Sequence, residues 1–393
     1  MRKYYLRNRL PGGVYLLCFA TFANSLGTFL IPFLPLYLKN MGVDARMTGN
    51  AVACYGAGCL LACLFGGHIS DVVGRRPVIC TNLMITTVLT GIIGFITSLA
   101  TIFTILFSIG ICAGMSRPAS NALIGDLINE EQSAAAYGLN YWSGNVGFIL
   151  SSLLGGILFT YSFVLLYLVD STTCFLAFLI LVGGISDLQK TEPKQKVSAA
   201  KNDRSSKCLN IIISTTLLAW VIQTQAWTAL PLTITKEGMT SFDWGIISAT
   251  NGIVIIVVQP FVNRVISIFG GKKILAAGCL IMGIGFMAVP IFSTLFGFII
   301  QTTIWSVGES FVTTSSPVLV SAFTTSDERG KWMGFSAATF SFASIVGPAS
   351  GGWAIQKELD SILWISCGIG GILATILALQ VKVSKSLSTG EKV

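Results

Sequence analysis

The chain has 393 residues, 53% of them hydrophobic and only 11% charged, and its mean hydropathy is +0.76. A water-facing surface needs roughly 25% charged residues, so a soluble globular protein is excluded and a polytopic membrane protein is indicated. The net charge of +8 does not signal nucleic acid, because the bases are spread over alternate connections rather than one patch.

Crossing a bilayer takes about 20 mainly apolar residues. After the bases Arg2, Lys3, Arg7 and Arg9, such runs lie near 14–38, 48–69, 77–97, 101–127, 135–159 and 163–185. They resume near 209–234, 244–266, 273–292, 295–321, 332–356 and 361–381. This predicts an all-α integral membrane protein of twelve transmembrane helices. The runs are continuous rather than alternating, which excludes a membrane β-barrel. The expected division is a six-helix bundle over 1–185, a polar linker over 186–208 and a second six-helix bundle over 209–393. Bases gather at Arg75 and Arg76, Lys190 to Lys207, Lys272 and Lys273, and Arg329 and Lys331. The connections at Thr97 to Thr101, Thr160 to Ser162 and Phe292 to Leu295 carry none. By the positive-inside rule both termini and the linker belong in the cytoplasm.

Charges and amides inside the spans are costly and are candidate functional groups. In chain order, the first span carries Asn24. The connection Gly66 to Val78, GGHISDVVGRRPV, places His68, Asp71, Arg75 and Arg76 between two apolar runs. His68 reads as an interfacial helix-end residue. The fourth span has Arg117 followed by Pro118, with Asp126 near its end. Arg117 suits either an anionic substrate group or a carboxylate partner. The fifth span carries Asn140, Tyr141, Trp142 and Asn145, and the sixth carries Asp170, which either faces a cavity or reaches toward water. The seventh brings Gln223 and Trp227, and the tenth Trp305 and Glu309. Glu309 lies near the middle of its span with no partner nearby in sequence, which suits a group that loads and releases protons, attracts a cation, or does both in competition. Apolar walls with a few polar groups suit a drug-sized ligand.

Ten scattered cysteines without a CxxC pair and a single histidine give neither a disulfide framework nor a metal site. No Walker A sequence is present, so ATP is not the expected energy source. Dispersed acids with one histidine do not make an enzyme's reactive cluster.

The halves repeat each other. Pro35-Leu36 matches Pro231-Leu232 at an offset of 196 residues (231 − 35), and the same offset joins Gly42 to Gly238, Gly56 to Gly252, Gly74 to Gly270, Gly138 to Gly334 and Gly155-Gly156 to Gly351-Gly352. A parallel repeat of six spans is a transporter architecture.

Gly67-His68-Ile69-Ser70-Asp71-Val72-Val73-Gly74-Arg75-Arg76-Pro77 is similar to the loop between helices two and three of the major facilitator superfamily, with Val72 where that family usually has a basic residue. Gly347-Pro348-Ala349-Ser350-Gly351-Gly352 resembles the antiporter signature GPxxGG, here in the eleventh span. The fifth span keeps Gly147, Gly155 and Gly156 but has Ser151-Ser152 in place of the signature's Gly-Pro pair. Asn140-Tyr141-Trp142 and Gly308-Glu309 look similar to the twelve-helix drug–proton antiporters. The resemblance implies two pseudo-symmetric six-helix bundles. It implies a gating set of Gly67, Asp71, Gly74, Arg75, Arg76 and Asp126, in which Arg75 reaches Asp126 and Asp71 faces the eleventh helix. As charges inside the spans, Glu309, Asp170 and Arg117 are the candidates for proton coupling. A substrate site is expected among Asn24, Asn140, Tyr141, Trp142, Asn145, Gln223, Trp227, Trp305 and Glu309.

The expectation is a proton-coupled secondary transporter exporting small amphipathic molecules by alternating access. A proton symporter importing a metabolite is the alternative. The expected partners are substrate, protons and membrane lipids, without nucleic acid. A monomer, no cofactor and no metal are expected.

Overall fold

A computed structural model describes residues 10–184 and 203–382, and all regular structure among them is helical. The first half contains α1 (Gly12–Leu26), α2 (Leu30–Asn40), α3 (Ala45–Val73), α4 (Arg75–Ile93), α5 (Leu99–Leu127), α6 (Ser133–Tyr161) and α7 (Phe163–Gly184). The second contains α8 (Asp203–Gln223), α9 (Ala229–Lys236), α10 (Ser241–Phe269), α11 (Gly271–Met287), α12 (Leu295–Phe323), α13 (Ser326–Gln356) and α14 (Asp360–Gln380). The apolar composition that excludes a water-facing surface also explains the helices, since only a helix satisfies every backbone group inside one membrane-crossing segment.

Ten helical segments among the described residues are long and apolar enough to cross a membrane, or eleven if the bent pair within α3 is one span. The eleventh predicted span, α13, is a continuous helix of 31 residues, but it is not among those that pass on length and hydropathy. Its sequence is rich in Ser, Ala and Gly and begins on charge. The expected linker over 186–208 is shorter at its end, because α8 already begins at Asp203. The rest of that segment and the basic N-terminus lie outside the described residues. Large apolar side chains stand exposed, among them Phe95, Ile291 and Phe296, as a lipid-facing surface requires.

By contacts the chain forms two units: Met1–Val43, Cys54–Pro193 and Thr240–Ile253 in one, Asp44–Ala53, Lys194–Met239 and Val254–Val393 in the other. Within the first, α1 packs on α6 and α7, and α4 on α5 and α7. Within the second, α8 packs on α13 and α14, and α11 on α12 and α14. These are the same pairings seven elements apart, so the repeat read from glycine spacing is a repeat of packing.

Among the described residues, the glycines with positive φ are Gly42 and Gly238 (78° and 80°) and Gly74 and Gly270 (108° and 85°), two pairs at the repeat offset. Gly74 turns α3 into α4 in a conformation that a side chain would strain. The ends that follow Gly42 and Gly238 are capped by side chains. Asp44 accepts the Met47 amide at 2.7 Å. Asp243 accepts the Thr240 amide at 2.8 Å, while the Thr240 hydroxyl accepts the Asp243 amide at 3.2 Å. This reciprocal arrangement satisfies two orphan donors.

The lead span of each half is broken at the same place. In the first, α1 ends at Leu26 and α2 starts at Leu30. In the second, α8 ends at Gln223 and a short 3-10 turn over Thr224–Trp227 precedes α9. Gly27 and Gln223 are 196 residues apart, the repeat offset.

Candidate functional site

The second unit brings the predicted proton and substrate residues closest together. Glu309 projects from the middle of α12, and Gln223, the last residue of α8, donates its Nε2 amide to Glu309 Oε1 at 3.4 Å. Gln223 is only 6% exposed, and its Oε1 is a buried acceptor without a partner. Glu309, Thr313 and Ser316 follow at i, i+4 and i+7 and share one face of α12. Thr216, Trp220 and Gln223 do the same on α8. One helical turn from the Gln223–Glu309 pair these two faces and α13 line an open pocket of about 240 Å³, formed by Thr216, Trp220, Thr313, Ser316, Met333 and Phe340 among others. Thr216 and Ser316, both in its lining, share a hydroxyl hydrogen bond of 3.0 Å. Phe340 stands edge-on to both Trp220 (5.3 Å) and Trp227 (5.5 Å). The site is therefore one carboxyl, one amide, hydroxyls and aromatic rings, a composition suited to a small amphipathic ligand.

Trp305 is elsewhere. It is buried, tilted against Phe286 at 5.2 Å, in the packing of α12 on α11. The glycine-rich signature of α13 packs on the break in the seventh span: Thr224 donates to the Ala343 carbonyl at 3.1 Å and Gln225 to the Gly347 carbonyl at 3.1 Å. Two consecutive residues after Gln223 thus tie its helix end to α13.

In the first unit Asp170 is 4% exposed. Its carboxylate faces the backbone amides of Phe29 and Leu30 at the break in the first span. Cys174 stands between Asp170 Oδ1 (3.6 Å) and Asn24 Oδ1 (3.3 Å). Of the two sequence alternatives for Asp170, a reach toward water is not what the structure has. On α6, Asn140 accepts a hydrogen bond from Thr21 of α1 at 2.8 Å, and Asn145 turns back on the Tyr141 carbonyl at 2.9 Å. Tyr141 and Trp142 are exposed. Arg117 on α5 stands beside Tyr55 and Cys59 of α3, which hydrogen-bond each other. His68 and Asp71 are exposed on the last turns of α3, as is Gly67.

The connection after α3 is held to its own unit by its arginines. Arg75 pairs with Asp126 at the end of α5 and also reaches the Ala122 carbonyl. Arg76 donates to the Leu181 carbonyl at 3.2 Å and the Val182 carbonyl at 2.7 Å, where a cation complements the carbonyl end of α7. The Arg75–Asp126 pair is under a third exposed on each side. Asp126→Asn should therefore cost about 1 kcal/mol, read as a lower melting temperature of the purified protein. An unchanged melting temperature would show the pair to be inert.

Sequence reading missed Phe340, Trp220, Thr216 and Ser316, which line the cavity, and Cys174, which bridges Asn24 and Asp170. None carries a charge, and each sits in an apolar run like its neighbours. The i, i+4, i+7 register with Glu309 and Gln223 was the one signal available for Thr313, Ser316, Trp220 and Thr216.

The comparisons with known proteins agree with this architecture. The sequence pattern described as the Major Facilitator Superfamily matches residues 17–222 and again 211–392. The MFS-type transporter YttB of Bacillus subtilis (strain 168) is 23% identical over 389 residues, covering 97% of this chain and 94% of YttB. The quinolone resistance protein NorA of Staphylococcus aureus is 30% identical over 183 residues, which is 45% of this chain and 46% of NorA. Among solved structures, the POT family transporter PepTSo superposes with a TM-score of 0.80 at 14% identity, covering 95% of this chain and 98% of that one. The nucleoside transporter NupG does so with 0.80 at 12%, covering 94% and 99%. A helical chain matched twice by one family, once in each of two repeated halves, belongs to the Major Facilitator Superfamily and is a multi-pass membrane transporter of that type.

Proposed function

We propose that the protein is a proton-coupled antiporter that exports small amphipathic, neutral or cationic molecules, with both termini and the GGHISDVVGRRPV connection on the cytoplasmic side. The carrying observation is the Gln223–Glu309 pair one helical turn from an open pocket lined with hydroxyls and aromatic rings. A carboxyl among apolar helices changes its interactions sharply when it gains a proton, and that difference is what biases two conformations. Aromatic rings supply apolar area and attract cations. The partial likeness to a quinolone resistance protein supports a drug-like substrate. The energy source in this reading is the proton gradient, with no cofactor, and the working unit is a monomer in contact with lipid.

The test uses inside-out membrane vesicles with an acid interior and a panel of lipophilic cations and quinolones. Addition of substrate is expected to collapse the gradient. A gradient that stays intact across the panel, while whole cells accumulate substrate, would overturn export. That outcome would favour a second reading, import of a metabolite by proton symport. The observation behind it is the Ser151-Ser152 pair standing where the export signature has Gly-Pro; here Ser152 hydrogen-bonds Ser248 at 3.1 Å.

A further inference from the structure

The break in the first span has a specific construction. The chain leaves α1 through Gly27 and Thr28, whose amides turn back on the carbonyls of Asn24 (3.3 Å) and Ser25 (3.2 Å), and the Phe29 amide turns back on Gly27 at 2.6 Å. α2 then begins with Leu30-Ile31-Pro32. The Phe29 amide is thus taken, but the Leu30 amide has no carbonyl behind it, and Leu30 is buried, so water does not satisfy it. The group that faces both amides is the Asp170 carboxylate. The approach of α7 is close: a side chain at Gly27 would meet the Thr173 hydroxyl and lie 2.9 Å from Asp170 Cα. Among the described residues no lysine or arginine pairs with Asp170. Charge compensation comes from the N-terminus of α2, where a carboxylate is favoured.

We propose that Asp170 is a switchable cap on the broken first span: ionised, it holds the start of α2 against α7, and on taking up a proton it releases that hold. The inference rests on the proton-coupled reading above for its purpose, but not for its geometry. In the second unit the equivalent break follows Gln223, whose side-chain amide is bonded to Glu309, although Glu309 stands on α12, which corresponds to α5 and not to α7. Each half therefore has a carboxyl near the break of its lead span, supplied by non-equivalent helices.

The other groups around Asp170 do not share its titration. Tyr167 and Cys174 of its own helix face it, and Asn24 reaches it through Cys174. From α2, Tyr37 approaches only the Tyr167 ring, at 5.3 Å. On α4 the charged residues are Arg75 and Arg76, and Arg76 is engaged at the far end of α7. From α6 no charged or titratable side chain faces it among the described residues. Phenols and thiols keep their protons between mildly acidic and neutral pH, so a response there belongs to the carboxyl.

The test is hydrogen–deuterium exchange of the full-length protein in lipid nanodiscs, read on peptides covering Asn24 to Phe33, in mildly acidic and neutral buffer, corrected for the intrinsic rate. In the wild type these amides are expected to exchange at least about five-fold faster in acid. Asp170→Asn keeps an acceptor but cannot titrate, so its exchange should not respond to pH. Asp170→Ala should exchange fast in both buffers. A wild type without the response, or an Asp170→Asn variant that retains it, overturns the cap. A response lost in Asp170→Asn, in a protein that moves no protons in the vesicle assay, upholds the cap and overturns the transport reading instead.

Discussion

Glu309→Gln is expected to lower proton-driven transport by roughly 100-fold, near the upper end of ordinary coupling between two sites. Glutamine has nearly the same shape and keeps an acceptor for the Gln223 amide, which now lies 3.4 Å from the carboxylate. It cannot exchange a proton. Helix packing is therefore preserved while the difference between two protonation states disappears, and without that difference a gradient has nothing to act on. Substrate exchange without a gradient should survive in the variant. The measurement is a pair of assays in reconstituted liposomes, gradient-driven uptake and substrate counterflow. Full gradient-driven uptake by Glu309→Gln would remove Glu309 from the proton route, and loss of both activities would make it a structural or substrate group.

Gly352→Val is expected to be the most damaging change outside that site. In the second unit α13 and the start of α3 meet backbone to backbone: a side chain at Gly352 would meet the Ala45 carbonyl oxygen and lie 2.8 Å from Gly49 Cα, and one at Gly49 would lie 3.0 Å from Gly352 Cα. The Ala45 amide donates to Gln356 Oε1 at 3.0 Å on the same contact. The first unit repeats the arrangement between Gly156 and Gly245, where an added carbon at Gly245 would lie 3.1 Å from Gly156 Cα. Backbone atoms have no rotamer by which to yield, so overpacking here should cost about 3 kcal/mol and reduce transport by more than about ten-fold. Gly334→Ala is the contrasting change. Nothing lies within 4 Å of that position, and alanine favours the helix by roughly 0.5–1 kcal/mol. Melting curves and transport rates of the two variants test the contrast. A Gly352→Val protein that melts and transports like the wild type would show that α3 and α13 do not meet this closely.

The two predictions differ in what made them visible. Glu309 stands out in sequence because a carboxylate near the middle of an apolar run has no cheap explanation. Gly352 stands out as part of a glycine pattern, but its partner lies some 300 residues away. Helical periodicity says which residues share a face, and nothing about what lies across from it.

The same division runs through the whole chain. Composition determined a helical membrane protein, because too few charges exist to face water. The repeat offset of 196 determined that the halves are alike, and the positive φ at Gly42 and Gly74 recurs at their equivalents Gly238 and Gly270. The Arg75–Asp126 pair was legible through the family resemblance. Sequence did not reveal that Asp170 faces backbone amides, because backbone donors carry no residue identity and the break exposing them has no proline or charge at its centre. Nor did it reveal the cavity among Thr216, Ser316 and Phe340, whose residues are ordinary helix formers in ordinary positions. Local chemistry fixed the spans and their exceptional charges, whereas the partners of those charges were decided by which helix faces meet in the packed units.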